Sequence, residues 1–200
     1  MKRIFNEGAF RAYSSINLNE ARVEINSATH YDAHKTTVFI SHKHEDLEDL
    51  KGIIGFLQKN YNVKAYIDSK DPTMPEKTSA KTAAKIKDRI NQCDRFILLA
   101  TDRAIESKWC NWELGYGDAK KYKDKIALFP MKPASKAPQE YKGNEYMQIY
   151  PCIAYYDGTE KYTSGESVKK GYYVRTYNPE ESIYYIKPLE EWLGNYQSIF

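Results

Sequence analysis

One carboxylate stands among large aromatic rings in the stretch SKWCNWELGYG, residues 107–117. In a helix, Trp109, Trp112, Glu113 and Tyr116 fall at i, i+3, i+4 and i+7 and form one stripe. A carboxylate against apolar rings loses hydration, so it must be neutralised, paired or used. The use that suits it is cleavage of a glycosidic bond through an oxocarbenium-like transition state. A desolvated carboxylate acts strongly on a developing ribosyl cation and accepts hydrogen bonds from ribose hydroxyls, while nearby rings stack on a planar base. A pyridinium leaving group departs as a neutral molecule, so no separate general acid is required and one carboxylate suffices. The competing reading of the same spacing is a glutamate at the rim of the core that reaches water or Lys120. Trp112 and Tyr116 read as core packing, because a helix laid on a sheet needs such residues.

The elements around this stripe decide where it points. TTVFISH, from Thr36, reads as the first strong strand, and HEDLEDLKGIIGFLQKNY as a helix with Leu47, Leu50, Ile54 and Leu57 on one face. VKAYIDS is a second strand ending at Asp68 and Ser69, followed by the loop KDPTMPEKTS, whose two prolines disfavour a helix. AKTAAKIKDRINQCD turns Ala83, Ile86, Ile90 and Cys93 inward, RFILLATD reads as a strand buried on both faces, and Ser107 N-caps the helix that carries Glu113. KIALFPM makes a fourth strand and YMQIYPCIAYY a fifth. The alternation predicts an α/β fold, one doubly wound domain whose parallel sheet is covered by helices on both faces. Residues 1–35 read as a polar N-terminal arm with a short helix around NLNEARVEI. The domain spans 36–200, including a C-terminal extension made of strands GYYVRTY and SIYYI and a terminal helix beginning near Pro188.

Ligands of an open parallel sheet bind beyond the carboxyl ends of its strands. That edge collects Ser41, His42 and Lys43 from the first strand, Asp68 and Ser69 from the second, and Thr101 and Asp102 from the third. Glu113 lies within the first two turns of its helix and so reaches the same edge. His44 reads as a surface residue of a first helical turn, and Asp68 either caps a loop or binds ribose. The usual nucleotide motifs are missing. SHKHED stands where a G-x-G-x-x-G turn would follow the first strand, and no G-x-x-x-x-G-K-[ST] occurs. An ordinary dehydrogenase or NTPase is therefore disfavoured. So is a receiver domain, since the first strand ends without paired acids.

The totals add limits. The 200 residues are 42% hydrophobic and 28% charged, with a net charge of +3, which favours neither disorder nor nucleic-acid binding. No apolar run approaches the roughly 20 residues of a spanning helix, and MKRIFNEGAFRAY lacks the apolar centre of a signal peptide. A cytoplasmic protein with no membrane partner is expected. Cys93, Cys110 and Cys152 are odd in number and far apart, as suits reduced core thiols, and His42 with His44 has no second ligand cluster for a metal.

Three pieces in order, VFISHKHED, YIDSKDP with its following loop, and SKWCNWELG, resemble the TIR (Toll/interleukin-1 receptor) domain family over residues 36–151. The resemblance implies a flavodoxin-like sheet, NAD+ as substrate, no cofactor, and Glu113 as the catalytic residue. It implies a substrate-binding set of Trp109, which matches an aromatic that stacks on a nucleotide base, with Ser41, His42, Lys43, Asp68 and Ser69 lining the pocket. The free-standing layout is most similar to bacterial Thoeris-type antiphage TIR proteins. Those make a cyclic ADP-ribose isomer or a related conjugate that activates a separate effector. The loop over residues 70–79 either closes over substrate or joins neighbouring TIR domains in self-association. Two other functions compete: a non-catalytic TIR–TIR scaffold or adaptor, and a nucleoside-cleaving transferase of similar topology.

Overall fold

The computed structural model of the chain describes residues 1–14, 35–67, 79–121 and 123–194. Among these, eight strands share one sheet. They are β1 (Phe5–Asn6), β2 (Thr37–Ser41), β3 (Lys64–Tyr66), β4 (Arg95–Ala100), β5 (Ile126–Lys132), β6 (Cys152–Tyr156), β7 (Gly171–Asn178) and β8 (Ile183–Pro188). Strands β3-β2-β4-β5-β6 pair in parallel in that order, which is the doubly wound, flavodoxin-like arrangement. The chain leaves β2 toward one edge and returns to build toward the other, so the switch point lies between β2 and β4.

Helices α1 (Leu47–Tyr61), α2 (Ala80–Gln92) and α4 (Lys108–Lys121) cover the sheet. Side chains alternate along a strand. Val38, Ile40, Ile97 and Leu99 therefore meet Leu50, Ile53, Ile54 and Leu57 of α1 in one core. Phe39, Phe96, Leu98 and Ala100 meet Ile86, Ile90 and Leu114 of α2 and α4 in the other. The same period turns Ser41, two residues after Phe39, to the α2/α4 side. Helix α1 stops at Asn62, whose φ of 46° places it in the left-handed region and whose N–H bonds the Gln58 carbonyl.

The first 14 residues are built into this body. Strand β1 pairs with Met131 and Lys132 at the end of β5, and Phe5 and Phe10 are buried against Phe56 and Phe129. Gly52 permits that approach, since a Cβ there would lie 2.6 Å from the Phe10 carbonyl oxygen. At the other end β7 and β8 continue the sheet antiparallel beyond β6, and α6 (Leu189–Trp192) packs Leu189 and Trp192 into the α1 core.

Two expectations are corrected. YMQIYPCIAYY is not strand throughout, because Tyr146–Ile149 forms a short helix, α5, and the strand begins only at Cys152. Pro151 separates the two by biasing Tyr150 to extended backbone. Among the described residues the terminal helix runs from Leu189 to Trp192, and Gly194 follows with φ 78°, while residues 195–200 of the expected helix lie outside them. A short helix not anticipated, α3 (Asp102–Ile105), precedes α4. The helix expected around NLNEARVEI, the residues Asp68 and Ser69, and nearly all of the loop after them lie outside the described residues. Ser79, at that loop's end, caps α2 through a capping box with Thr82.

Candidate functional site

Strand β2 ends at the switch point with Ser41, and α4 lies over that end. The Ser41 hydroxyl donates to Glu113 Oε2 at 2.5 Å. Both residues are buried, Ser41 1% and Glu113 2% exposed. Glu113 is thus not a rim residue reaching for Lys120, which is exposed on the far end of α4. The helix that positions it starts where expected: Ser107 accepts the Cys110 N–H on its hydroxyl and the Asn111 N–H on its carbonyl. Asn111 in turn donates to the Ile105 carbonyl and receives the Tyr146 hydroxyl, tying α4 to α3 and α5.

The stripe divides. Glu113 turns inward to Ser41, while Trp109, Trp112 and Tyr116 remain half-buried as a ladder of rings. Trp109 stacks on Trp112 at 4.9 Å and 27°, and Trp112 on Tyr116 at 6.2 Å and 19°. Helix α2 braces the ladder. Lys87 Nζ lies 5.7 Å from the Trp112 centroid and 5.4 Å from that of Tyr116, and Asn91 hydrogen-bonds the Tyr116 hydroxyl. Trp112 and Tyr116 pack against the core, as read from sequence, but both remain partly exposed.

His42 follows Ser41 and is also buried, with Nδ1 3.2 Å from the Ile40 carbonyl. A ring nitrogen facing a carbonyl oxygen must carry the proton, so this contact selects the Nδ1–H tautomer. Lys43 stands farther out, half-exposed and 3.7 Å from Glu45. His44 is exposed, in keeping with a first-turn surface residue. Ser41, His42, Glu113 and Trp109 therefore sit on two adjoining elements at one sheet edge, with Lys43 at their margin.

Asp46 is a residue that sequence reasoning missed. Its side chain is fully buried, accepts the Thr101 hydroxyl at 2.5 Å and Arg103 Nε at 2.6 Å, and so joins the turn after β2 to the turn after β4. Arg103 also reaches Glu7, bringing the N-terminal segment to the same edge. Asp102 is buried beside it and bound by Lys136 Nζ at 2.7 Å and the Lys142 backbone N–H at 2.9 Å. In sequence Asp46 looks like any acid of a helical first turn; only its position directly across from Thr101 distinguishes it. These ties hold the two turns that flank the switch point in fixed register.

Among the described residues no group of three or more His, Cys, Asp or Glu side chains is placed to hold a metal. The three cysteines are free and buried. Burial pushes the Cys93 thiol up to about 12 and the Cys152 thiol up to about 11, so at neutral pH neither supplies a thiolate nucleophile. No helix among the described residues is long and apolar enough to cross a membrane.

Comparison with known proteins identifies the family. A family model described as "TIR domain" matches residues 38–161. The chain is similar to a protein of Bacillus cereus (strain MSX-D12) named probable 3' cyclic ADP-D-ribose synthase ThsB', at 29% identity over 127 residues, 62% of this chain and 64% of that protein. It is also similar to a Cytobacillus dafuensis protein named putative cyclic ADP-D-ribose synthase TIR2, at 34% identity over 82 residues, 40% of this chain and 21% of that protein. The chain thus spans less than two thirds of the length of these curated relatives.

Proposed function

The chain belongs to the TIR domain family, and from that premise we propose that it cleaves NAD+ at the nicotinamide–ribose bond and closes the ADP-ribose part on itself. The observation that carries this reading is the buried Ser41–Glu113 pair at the switch point of the sheet, beside a half-exposed ladder of rings. The names of the two relatives, both cyclic ADP-D-ribose synthases, support the same chemistry.

Glu113 is the catalytic residue in this proposal. As the C1'–N bond breaks, its electron pair leaves with the nicotinamide nitrogen and positive charge develops on the ribosyl carbon. A carboxylate preorganised in a water-poor site stabilises that charge far more than it does in water. A nucleophilic atom of the adenosine part then bonds to the ribosyl carbon and releases a proton. The balance is NAD+ to nicotinamide, a cyclic product and H+. Ser41 acts through Glu113 as a positioning residue, holding Oε2 so that the carboxylate does not rotate. Trp109, which is half-buried, stacks on a base. His42 and Lys43 border the pocket, and the proposal assigns Asp68 and Ser69 to substrate binding as well. The product serves as a signal to a separate effector protein in antiphage defence, and TIR–TIR self-association assembles the active form.

The experiment is incubation of the purified chain with NAD+ and, separately, with deoxynucleosides, followed by chromatography of the products. Nicotinamide released from NAD+ alone is the expected result. Release of a free base from deoxynucleosides alone would move the chain to nucleoside transfer, and no turnover of either at any protein concentration would leave a scaffold.

A further inference from the structure

The α2/α4 face of the sheet carries a second cluster of charge remote from Glu113. Ser41, Leu98, Leu128, Cys152 and Arg175 pair in turn across β2, β4, β5, β6 and β7, forming one row on one face. Four interstrand steps of about 4.8 Å place Arg175 roughly 19 Å from Ser41. A cavity of about 280 Å³ opens there, and its lining includes Arg3, Ile4, Pro138, Met147 and Arg175.

The electrostatics of that cavity are one-sided. Arg175 is only 9% exposed, lies over the Tyr184 ring and hydrogen-bonds the Tyr156 side chain. Among the described residues no carboxylate lies within ion-pair distance of Arg175 or of Arg3. The lining contains no acid. Both guanidinium charges favour the Cys152 thiolate, although burial still pushes that thiol up to about 11. Burying a cation is costly unless an opposite charge faces it, and tyrosine rings offset only part of that cost. Two cations without an acid are matched by a ligand with two negative charges, which a phosphate monoester carries at neutral pH. The planar fork of arginine suits phosphate oxygens. Ile4, Pro138 and Met147 add apolar surface to the same cavity, interleaved with the amides of Gln139, Asn144 and Gln148.

We propose that this cavity binds a small phosphate monoester, with Arg3 and Arg175 on the phosphate and Ile4 and Met147 against the organic part. The site is separate from the Glu113 edge and does not depend on what is cleaved there.

Isothermal titration with phenyl phosphate, inorganic phosphate and benzoate tests it. The expected result is saturable one-to-one binding of phenyl phosphate, tighter than of inorganic phosphate or benzoate. Affinity should fall at least ~tenfold in Arg3→Gln and in Arg175→Gln, the loss of a charged hydrogen bond, and stay unchanged in Trp109→Ala. Arg3 is exposed, so Arg3→Gln decides the matter should Arg175→Gln fail to fold. No saturation up to ~10 mM would overturn the proposal, as would unaltered affinity in Arg3→Gln. Loss of binding in Trp109→Ala would assign the ligand to the other site, and benzoate binding as tightly as phenyl phosphate would reject the phosphate class.

Discussion

Ser41 and Glu113 are 72 residues apart in sequence and joined by one 2.5 Å hydrogen bond, from the last residue of β2 to the second turn of α4. The bond crosses from sheet to helix at the switch point, where a doubly wound fold leaves space for ligands. Because both ends sit on regular elements with buried neighbours, the carboxylate has one orientation before substrate arrives.

Glu113→Gln is expected to abolish NAD+ cleavage and leave the fold intact. Glutamine keeps the shape and can still accept the Ser41 proton, so packing is retained and only the charge is lost. The loss is about 3 kcal/mol or more of transition-state stabilisation, as for one preorganised electrostatic partner. Nicotinamide release and a thermal melt measure the two halves. Near-normal turnover in a well-folded variant would remove Glu113 from the mechanism.

Ser41→Ala separates positioning from charge. The glutamate remains but loses its donor, so kcat should fall by about 10- to 100-fold, the worth of one hydrogen bond to an ionised group, with little change in KM. Ser41→Thr retains the hydroxyl and should recover much of the rate. An unchanged kcat in the alanine variant would show that the bond does not orient the carboxylate.

Trp109→Ala should act mainly on binding. Its ring is half-buried and already stacked on Trp112, and its exposed part is what a base would meet. Aromatic platforms contribute roughly 1–3 kcal/mol per stacked base, so KM should rise about tenfold or more. An unchanged KM would take Trp109 out of the pocket.

The order of elements was legible because strand and helix periods are strong where burial is two-sided. RFILLA and IALFPMK are apolar enough to be strands from composition alone, and Leu50, Ile54 and Leu57 mark the inner face of α1. Glu113 stood out because a lone acid among indoles violates that pattern. Asp46 did not, since its burial arises from Thr101 and Arg103, more than 50 residues away, and no local pattern encodes that contact. The N-terminal segment was likewise illegible. Phe5 and Phe10 show no strand period, and their place depends on the bare backbone of Gly52 and the free end of β5. Tyr146–Ile149 misled because aromatic and β-branched residues suit a strand locally, whereas Pro151 divides the run.

Asp102 makes acid stability testable. Burial alone would push its carboxyl up, but Lys136 Nζ at 2.7 Å and the Lys142 N–H hold it below the ordinary value of 3.8. A folded value below the unfolded one means that the contribution is fully present above the unfolded value and disappears as pH falls through the folded value. Asp102→Asn should therefore lower the urea midpoint near neutrality and flatten its decline below about pH 4. An acid limb identical to that of the unaltered chain would show that other carboxylates carry it.

The identity of the product is the sharpest test of the proposed reaction. Hydrolysis needs water at the ribosyl carbon, whereas cyclisation needs the adenosine end of the same molecule there while water is held away. The site favours the second. Glu113 is 2% exposed, the ladder of Trp109, Trp112 and Tyr116 stands on the same helix, and α2 holds that ladder in place through Lys87 and Asn91. A ring that stacks on adenine also folds the dinucleotide back toward the carbon under attack, which raises the local concentration of the internal nucleophile over that of water. The major product should be a cyclic ADP-ribose species, with one nicotinamide released per molecule formed. Mass spectrometry separates the outcomes, because the linear product is heavier by one water. Chiefly linear ADP-ribose would leave the glycohydrolase standing and reject the cyclase. A mixture that shifts toward the linear form in Trp109→Ala would identify that ring as the element that folds the substrate.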